Sequence, residues 1–255
     1  MAYNSLKSLL KILSTFVFCT FGAIAFSQTA GPLEGQVYGN GSKTLVVVLH
    51  GDVSRGGPAN YHYSFANQLA RQNSSATVVG LLRPGYSDGR GRTSTGSNNN
   101  RRDHYTSRNN NLVAETIKNM QAQTGAARVV AVGHSGGAAQ IGAILGRFPG
   151  LIDSAILVSC PCDITRWRKM NGRSAWSKSQ SPSRYVKKIS GKSRVIAITG
   201  KNDDNTSVVL AKSYVDAATK SGTTAQLIEV LGAGHNFGGA LSRAAMNATN
   251  SEIRR

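Results

Sequence analysis

The sequence predicts one α/β domain with a mostly parallel central sheet and helices on both faces. Short, almost unbroken apolar runs recur at 44–49, 77–82, 128–132, 154–159, 194–199 and 225–230. Continuous apolar strands are the mark of a sheet buried on both faces. Between them, helical patterns occupy 59–72, 109–123, 138–148 and 207–220, and strand–helix alternation implies crossover connections and parallel pairing. Two long segments, 85–108 and 160–192, interrupt the rhythm, each after a strand's C-terminal end, where open α/β sheets place their ligands.

Taken in order, residues 1–27 read as a secretory signal peptide. Lys7 and Lys11 form a positive start, residues 12–26 an apolar middle, and Ala25 and Ser27 put small side chains where cleavage before Gln28 needs them. The apolar stretch, about 15 residues, is short of the ~20 that span a bilayer, and no basic stop-transfer cluster follows. Cys19 does not make a lipoprotein site, because bulky Phe18 precedes it. The expected product is a secreted or periplasmic protein, residues 28–255, with no stable membrane span, neither linker nor repeat, and enough chain for one domain with a full core.

The chain carries 30 Lys and Arg against 12 Asp and Glu, a formal charge of +18, and loses only two lysines with the leader. Such a surface favours anionic neighbours, an envelope polymer or an acidic substrate among them, although many exported basic proteins are simply soluble that way. No nucleic-acid-binding module is recognisable, and aromatic residues at 7% are too few for a stacking platform. Cys160 and Cys162 are left in the exported chain, a pair that an oxidising compartment would close into a disulfide. Free thiols or a metal site are the alternatives, the latter without a nearby third ligand.

Run 33–38 adds a leading strand, and run 44–49 ends in His50-Gly51-Asp52. A carboxylate at Asp52 beside a developing anion requires that it point away or be paired; Arg55 is near in sequence, and hydrogen bonding within the turn 52–57 is preferred. Run 77–82 leads into Arg83-Pro84-Gly85-Tyr86-Ser87, then into the Asn-, Ser-, Gly- and Arg-rich segment 85–108, either a disordered tail or a recruiter of anionic substrate. Run 128–132 breaks into Gly133-His134-Ser135-Gly136-Gly137 and then into small helix formers. That context is what a strained strand-to-helix turn displaying a serine nucleophile requires. Gly85-Tyr86-Ser87-Asp88-Gly89 fits the same pentapeptide, but the residues after it cannot start a helix, so Ser87 is assigned to a loop.

Segment 160–192, with Trp167, Trp176 and several basic residues, predicts a small cap. Run 194–199 ends at Gly200-Lys201-Asn202-Asp203-Asp204, and run 225–230 at Gly232-Ala233-Gly234-His235, before a closing helix over 237–247. A serine nucleophile needs a base, an acid to orient it and donors for the oxyanion. Ser135, His235 and Asp203 supply the first three in a known chain order, with Asp204 the competing acid. His134 is expected to pack under the serine, and His62 and His104 to be surface or wall residues.

These four motifs, in order and spacing, resemble the α/β-hydrolase superfamily over essentially the whole of 28–255; Ser87 stands where that family commonly has glycine. The resemblance implies that Ser135 attacks a carbonyl, His235 shuttles the proton, Asp203 orients His235, and the backbone N–H groups of Asp52 and Gly136 form the oxyanion hole. It implies a hydrolase without metal or cofactor, most simply a carboxylesterase on small or medium acyl esters. A peptidase or amidase shares the same triad, and a catalytically silent, basic, envelope-binding protein is the reading of another class.

Overall fold

The computed structural model describes residues 28–255; the leader reading of 1–27, Cys19 included, lies outside them. Seven strands form one sheet: β1 Gly35–Tyr38, β2 Thr44–Leu49, β3 Ala76–Leu81, β4 Arg128–His134, β5 Ser154–Val158, β6 Arg194–Gly200 and β7 Thr224–Val230. Their spatial order is β1-β3-β2-β4-β5-β6-β7, parallel throughout except for β1, which runs antiparallel to β3 at one edge. Among the described residues six α-helices accompany them: α1 His62–Gln72, α2 Ser107–Thr124, α3 Gly136–Arg147, α4 Ile164–Met170, α5 Val208–Lys220 and α6 Gly239–Ile253. This is the α/β-hydrolase architecture that the motifs imply.

The two-residue period of a strand explains why the central runs are apolar at every position. Along β2, Leu45, Val47 and Leu49 enter the layer under α2 and α3, with Val113, Ile117, Ile141 and Ile144. Val46 and Val48 enter the opposite layer, against Phe65 and Leu69 of α1 and Leu241 of α6. Run 225–230 departs from this expectation. As β7 it is an edge strand whose residues are exposed or half-buried, because one flank has no neighbour to cover it.

From β2 the chain crosses to β3 on one side, whereas β4 lies on the other and leads outward to β7. The sheet therefore reverses its winding between β2 and β4, and a crevice opens beyond their C-terminal ends. His50-Gly51-Asp52 leaves β2 at that point and Ser135 leaves β4.

The segment 85–108 is ordered rather than a tail, and its last two residues already belong to α2. Ser94 Oγ donates to the Leu82 carbonyl at 2.8 Å, Asn98 Nδ2 to that of Gly85 at 2.7 Å, and Asn109 Nδ2 to that of Ser97 at 2.7 Å. Segment 160–192 folds as α4 followed by two short 3-10 turns, with Asp163 capping α4 through the Arg166 N–H. Asp103 joins the two segments by accepting backbone N–H groups of Ser177, Lys178 and Ser179. Cys160 and Cys162, both buried, are disulfide-bonded with Cα atoms 5.0 Å apart. No helix among the described residues is long and apolar enough to cross a membrane.

Candidate active site

Ser135 occupies the sharp turn between β4 and α3 with φ +52°, a left-handed conformation that a serine adopts only where the surroundings enforce it. The flanking glycines are required by close approach. A Cβ on Gly133 would lie 2.5 Å from the Ala138 nitrogen, and one on Gly137 2.6 Å from the His50 carbonyl oxygen. Ser87, by contrast, is exposed in the loop after β3, and its hydroxyl accepts the Gly89 N–H.

The loops after β6 and β7 bring the remaining groups to Ser135. His235 Nε2 is 3.0 Å from Ser135 Oγ, and His235 Nδ1 is 3.0 Å from Asp203 Oδ2. Asp203 is fixed by the N–H groups of Asn205 and Thr206 and by the Thr206 hydroxyl at 2.7 Å. Burial alone would raise its pKa, but the hydrogen bond and charge of His235 outweigh that and hold it at about 2. Asp204, the competing acid, is exposed, and it is Asp203 that meets His235 Nδ1.

His134 is buried beside the serine, as expected, and has a specific task. Its Nε2 donates to the His235 carbonyl at 2.9 Å, while its Nδ1 accepts from Tyr61 Oη at 2.6 Å. Tyr61 Oη in turn accepts the Gly51 N–H. This chain ties the histidine loop to the strap after β2 and requires a neutral imidazole. Burial, with the nearby His235, pushes the His134 pKa down to about 4.

Asp52 is held differently from either sequence expectation. It pairs with Arg83 at 2.8 Å and accepts the Tyr105 hydroxyl at 2.6 Å, while Arg55 is exposed and forms no ion pair among the described residues. Arg83 is fully buried, donating to Gln140 Oε1 and stacking its guanidinium over Tyr86 and Tyr105. Burial would raise the Asp52 pKa, but Arg83 and the hydrogen bonds of His104 and Tyr105 keep it far below the usual carboxylate range. His62 and His104 are not surface residues: both are buried, at 1% and 2% exposure, and His104 lines a small second cavity.

The strap and the serine turn are in contact: a Cβ on Gly51 would be 3.2 Å from Ser135 Cβ, and one on Gly136 would overlap the Asp52 carboxylate. Neither the Asp52 N–H nor the Gly136 N–H has an acceptor among the described residues. The cleft above them holds about 1000 Å³ and is walled by Tyr61, Trp167, Trp176 and Phe237. Among the described residues no group of three or more His, Cys, Asp or Glu side chains could hold a metal.

The model of the prolyl oligopeptidase family matches residues 62–252. The chain belongs to the prolyl oligopeptidase family. It is therefore a serine hydrolase, in keeping with a nucleophile turn of this kind. Among solved structures, the chain is similar to esterase PE8 at 20% identity, covering 87% of this chain and 99% of that one with a TM-score of 0.65. It resembles Est1E from Butyrivibrio proteoclasticus at 14% identity, with 88% and 95% coverage and a TM-score of 0.64. The acylaminoacyl peptidase of Pyrococcus horikoshii is similar at 15% identity over 89% of this chain and 40% of that one, with a TM-score of 0.62. These three likenesses show the fold, and no curated protein matches the sequence.

The motifs brought Ser135, Asp203, His235, Asp52 and Gly136 to one crevice, but missed the parts that hold this prolyl oligopeptidase family member's site in shape. Arg83 stands in a motif that gives it no task. Tyr61, Tyr105 and Thr206 carry no local signal, since their roles exist only through contacts distant in sequence.

Proposed function

We propose that the protein is an exported carboxylesterase working through an acyl-enzyme on Ser135. The carrying observation is the unbroken line from Ser135 Oγ to His235 Nε2, and from His235 Nδ1 to Asp203, at 3.0 Å in each step. His235 Nε2 takes the Ser135 proton as Oγ attacks the ester carbonyl, and returns it to the leaving alkoxide when the tetrahedral intermediate collapses. Water, deprotonated by the same nitrogen, then releases the acid. Asp203 keeps the His235 proton on Nδ1 and stabilises the imidazolium. The Asp52 and Gly136 N–H groups, both without acceptors among the described residues, donate to the oxyanion.

An ester substrate is supported by the two esterases whose chains this one spans almost completely. The family and the acylaminoacyl peptidase favour amide cleavage as the second reading. Export is supported by the leader and by the Cys160–Cys162 disulfide, a bond of oxidising compartments. Matched esters and amides of the same acyl group decide the first question: kcat/KM should favour the ester well beyond the chemical reactivity difference. Covalent labelling by a fluorophosphonate should appear on Ser135, and its absence would refute the acyl-enzyme.

A further inference from the structure

The cleft above Ser135 is lined by five arginines, Arg55, Arg101, Arg102, Arg168 and Arg173, and by one carboxylate, Asp52. Asp52 is already neutralised by Arg83 at 2.8 Å. None of the five forms an ion pair among the described residues, and residues 1–27 contain no Asp or Glu that could supply one. Asp103 lies close enough to favour the charge of Arg168, but its oxygens are occupied by the backbone N–H groups of Ser177, Lys178 and Ser179. Burial and the neighbouring Arg173 make the charge of Arg168 harder to hold, so like charges are gathered here at an energetic cost.

Three of these side chains, Arg101, Arg168 and Arg173, are also held in place. The Arg168 guanidinium lies 4.8 Å from the Trp176 ring centre and donates through Nε to the Ser174 carbonyl. Arg173 lies 5.8 Å from the Trp167 ring centre. Arg101 donates to the Gly57 carbonyl, while its Nε is buried without a partner. Stacking on an aromatic face fixes a guanidinium yet leaves edge N–H groups free for an oxyacid. The arginines come from separate chain segments: Arg101 and Arg102 from 85–108, Arg168 and Arg173 from the cap. Arg92, in the same loop, instead pairs with Asp88 at 3.4 Å away from this cleft, so the cluster is not merely the spread of a basic composition.

We infer that the cleft selects esters bearing an oxyacid anion, carboxylate or phosphate-like, on the part of the substrate next to the scissile carbonyl. This rests on the ester hydrolase reading above and names its substrate class. The guanidiniums of Arg168 and Arg173, stacked on Trp176 and Trp167, bind the anion together with Arg101 and Arg102 of the same cleft lining while Ser135 attacks the ester.

The test compares para-nitrophenyl esters of butanoate, succinate, phosphonopropanoate and trimethylammoniobutanoate in wild type, Arg102→Gln/Arg173→Gln, Arg102→Glu/Arg173→Glu and Arg90→Gln. In wild type, kcat/KM for one or both anionic esters should exceed the butanoate ester by on the order of tenfold at low salt, and the advantage should shrink as salt rises. Preference for the phosphonate alone would identify a phosphate-like group, and for the succinate alone a carboxylate. The glutamine pair should remove most of the ratio, the glutamate pair should turn it towards the cationic ester, and Arg90→Gln should leave it unchanged. Hydrolysis of the butanoate ester without anionic preference, or a preference that survives both pairs, overturns the cradle. If nothing is hydrolysed and Ser135 is not labelled, the esterase reading fails; calorimetric binding of the succinate and phosphonate esters to Ser135→Ala then decides the cradle alone. Binding lost in the glutamine pair sustains it, and no binding overturns it.

Discussion

The Arg83 guanidinium meets the Asp52 carboxylate at 2.8 Å behind the strap that carries a proposed oxyanion donor, two residues 31 positions apart in the chain. A buried pair contributes little over an apolar substitute of equal shape, but breaking it leaves a charge stranded. Arg83→Met should therefore cost about 3–5 kcal/mol in urea unfolding, and the double variant Arg83→Met/Asp52→Leu much less than the sum of the single losses. Additive losses would show that the pair is not coupled. In variants that fold, the proposed role of the Asp52 N–H at the oxyanion requires that kcat fall more than KM rises.

Ser135→Ala should abolish turnover of a para-nitrophenyl ester, whereas Ser87→Ala should keep most of it, since the exposed Ser87 hydroxyl serves only its own loop. Steady-state kinetics on both purified variants check this. Loss of activity in Ser87→Ala with retention in Ser135→Ala would move the site.

Asp203→Asn should lower kcat by about three to four orders of magnitude, because an amide can donate to Nδ1 and leave the imidazole in the wrong tautomer. Asp204→Asn should change it little, being exposed. Comparable losses in both variants would remove Asp203 from its assigned place.

Acid should destabilise the fold in two stages. His50, His62, His104 and His134 are all buried with lowered pKa values, chiefly through burial, His62 at about 3 and His134 at about 4. Unfolded, each would bind a proton near pH ~6.5. The stability they contribute is complete above that value and is lost as pH falls towards their folded values. Asp203, held at about 2 against a usual 3.8, adds a loss between those two values. Thermal unfolding should give a Tm that falls from about pH 6.5 downward. In His62→Leu the slope between about pH 6.5 and 4 should be shallower. A Tm flat down to pH ~4 would contradict the buried neutral histidines.

Mass spectrometry of the natively expressed protein should find Gln28 at the N-terminus, given the spacing of Ala25 and Ser27. A retained Met1 would contradict export.

Much of the sheet was legible because a strand buried on both faces must be apolar on both, as β2 is from Leu45 to Leu49 and β4 from Val129 to Val132; the edge strand β7 has a similar composition, which does not report who the neighbour is. Ser135, Asp203 and His235 were legible because each follows a strand's C-terminal end in a short motif whose glycines reflect local sterics. The fate of Asp52 was not. Its nearest cation in sequence is Arg55, yet burial made the better partner Arg83, delivered by the adjacent strand β3. Likewise, the sequence offered a basic chain and, in 85–108, a candidate recruiter of anionic substrate, but only folding separated the arginine paired elsewhere from those that line the cleft with Ser135. Local sequence determines backbone conformation and face; which charges meet, and which are left facing a ligand, is decided by contacts across the sheet and by the dielectric that burial creates.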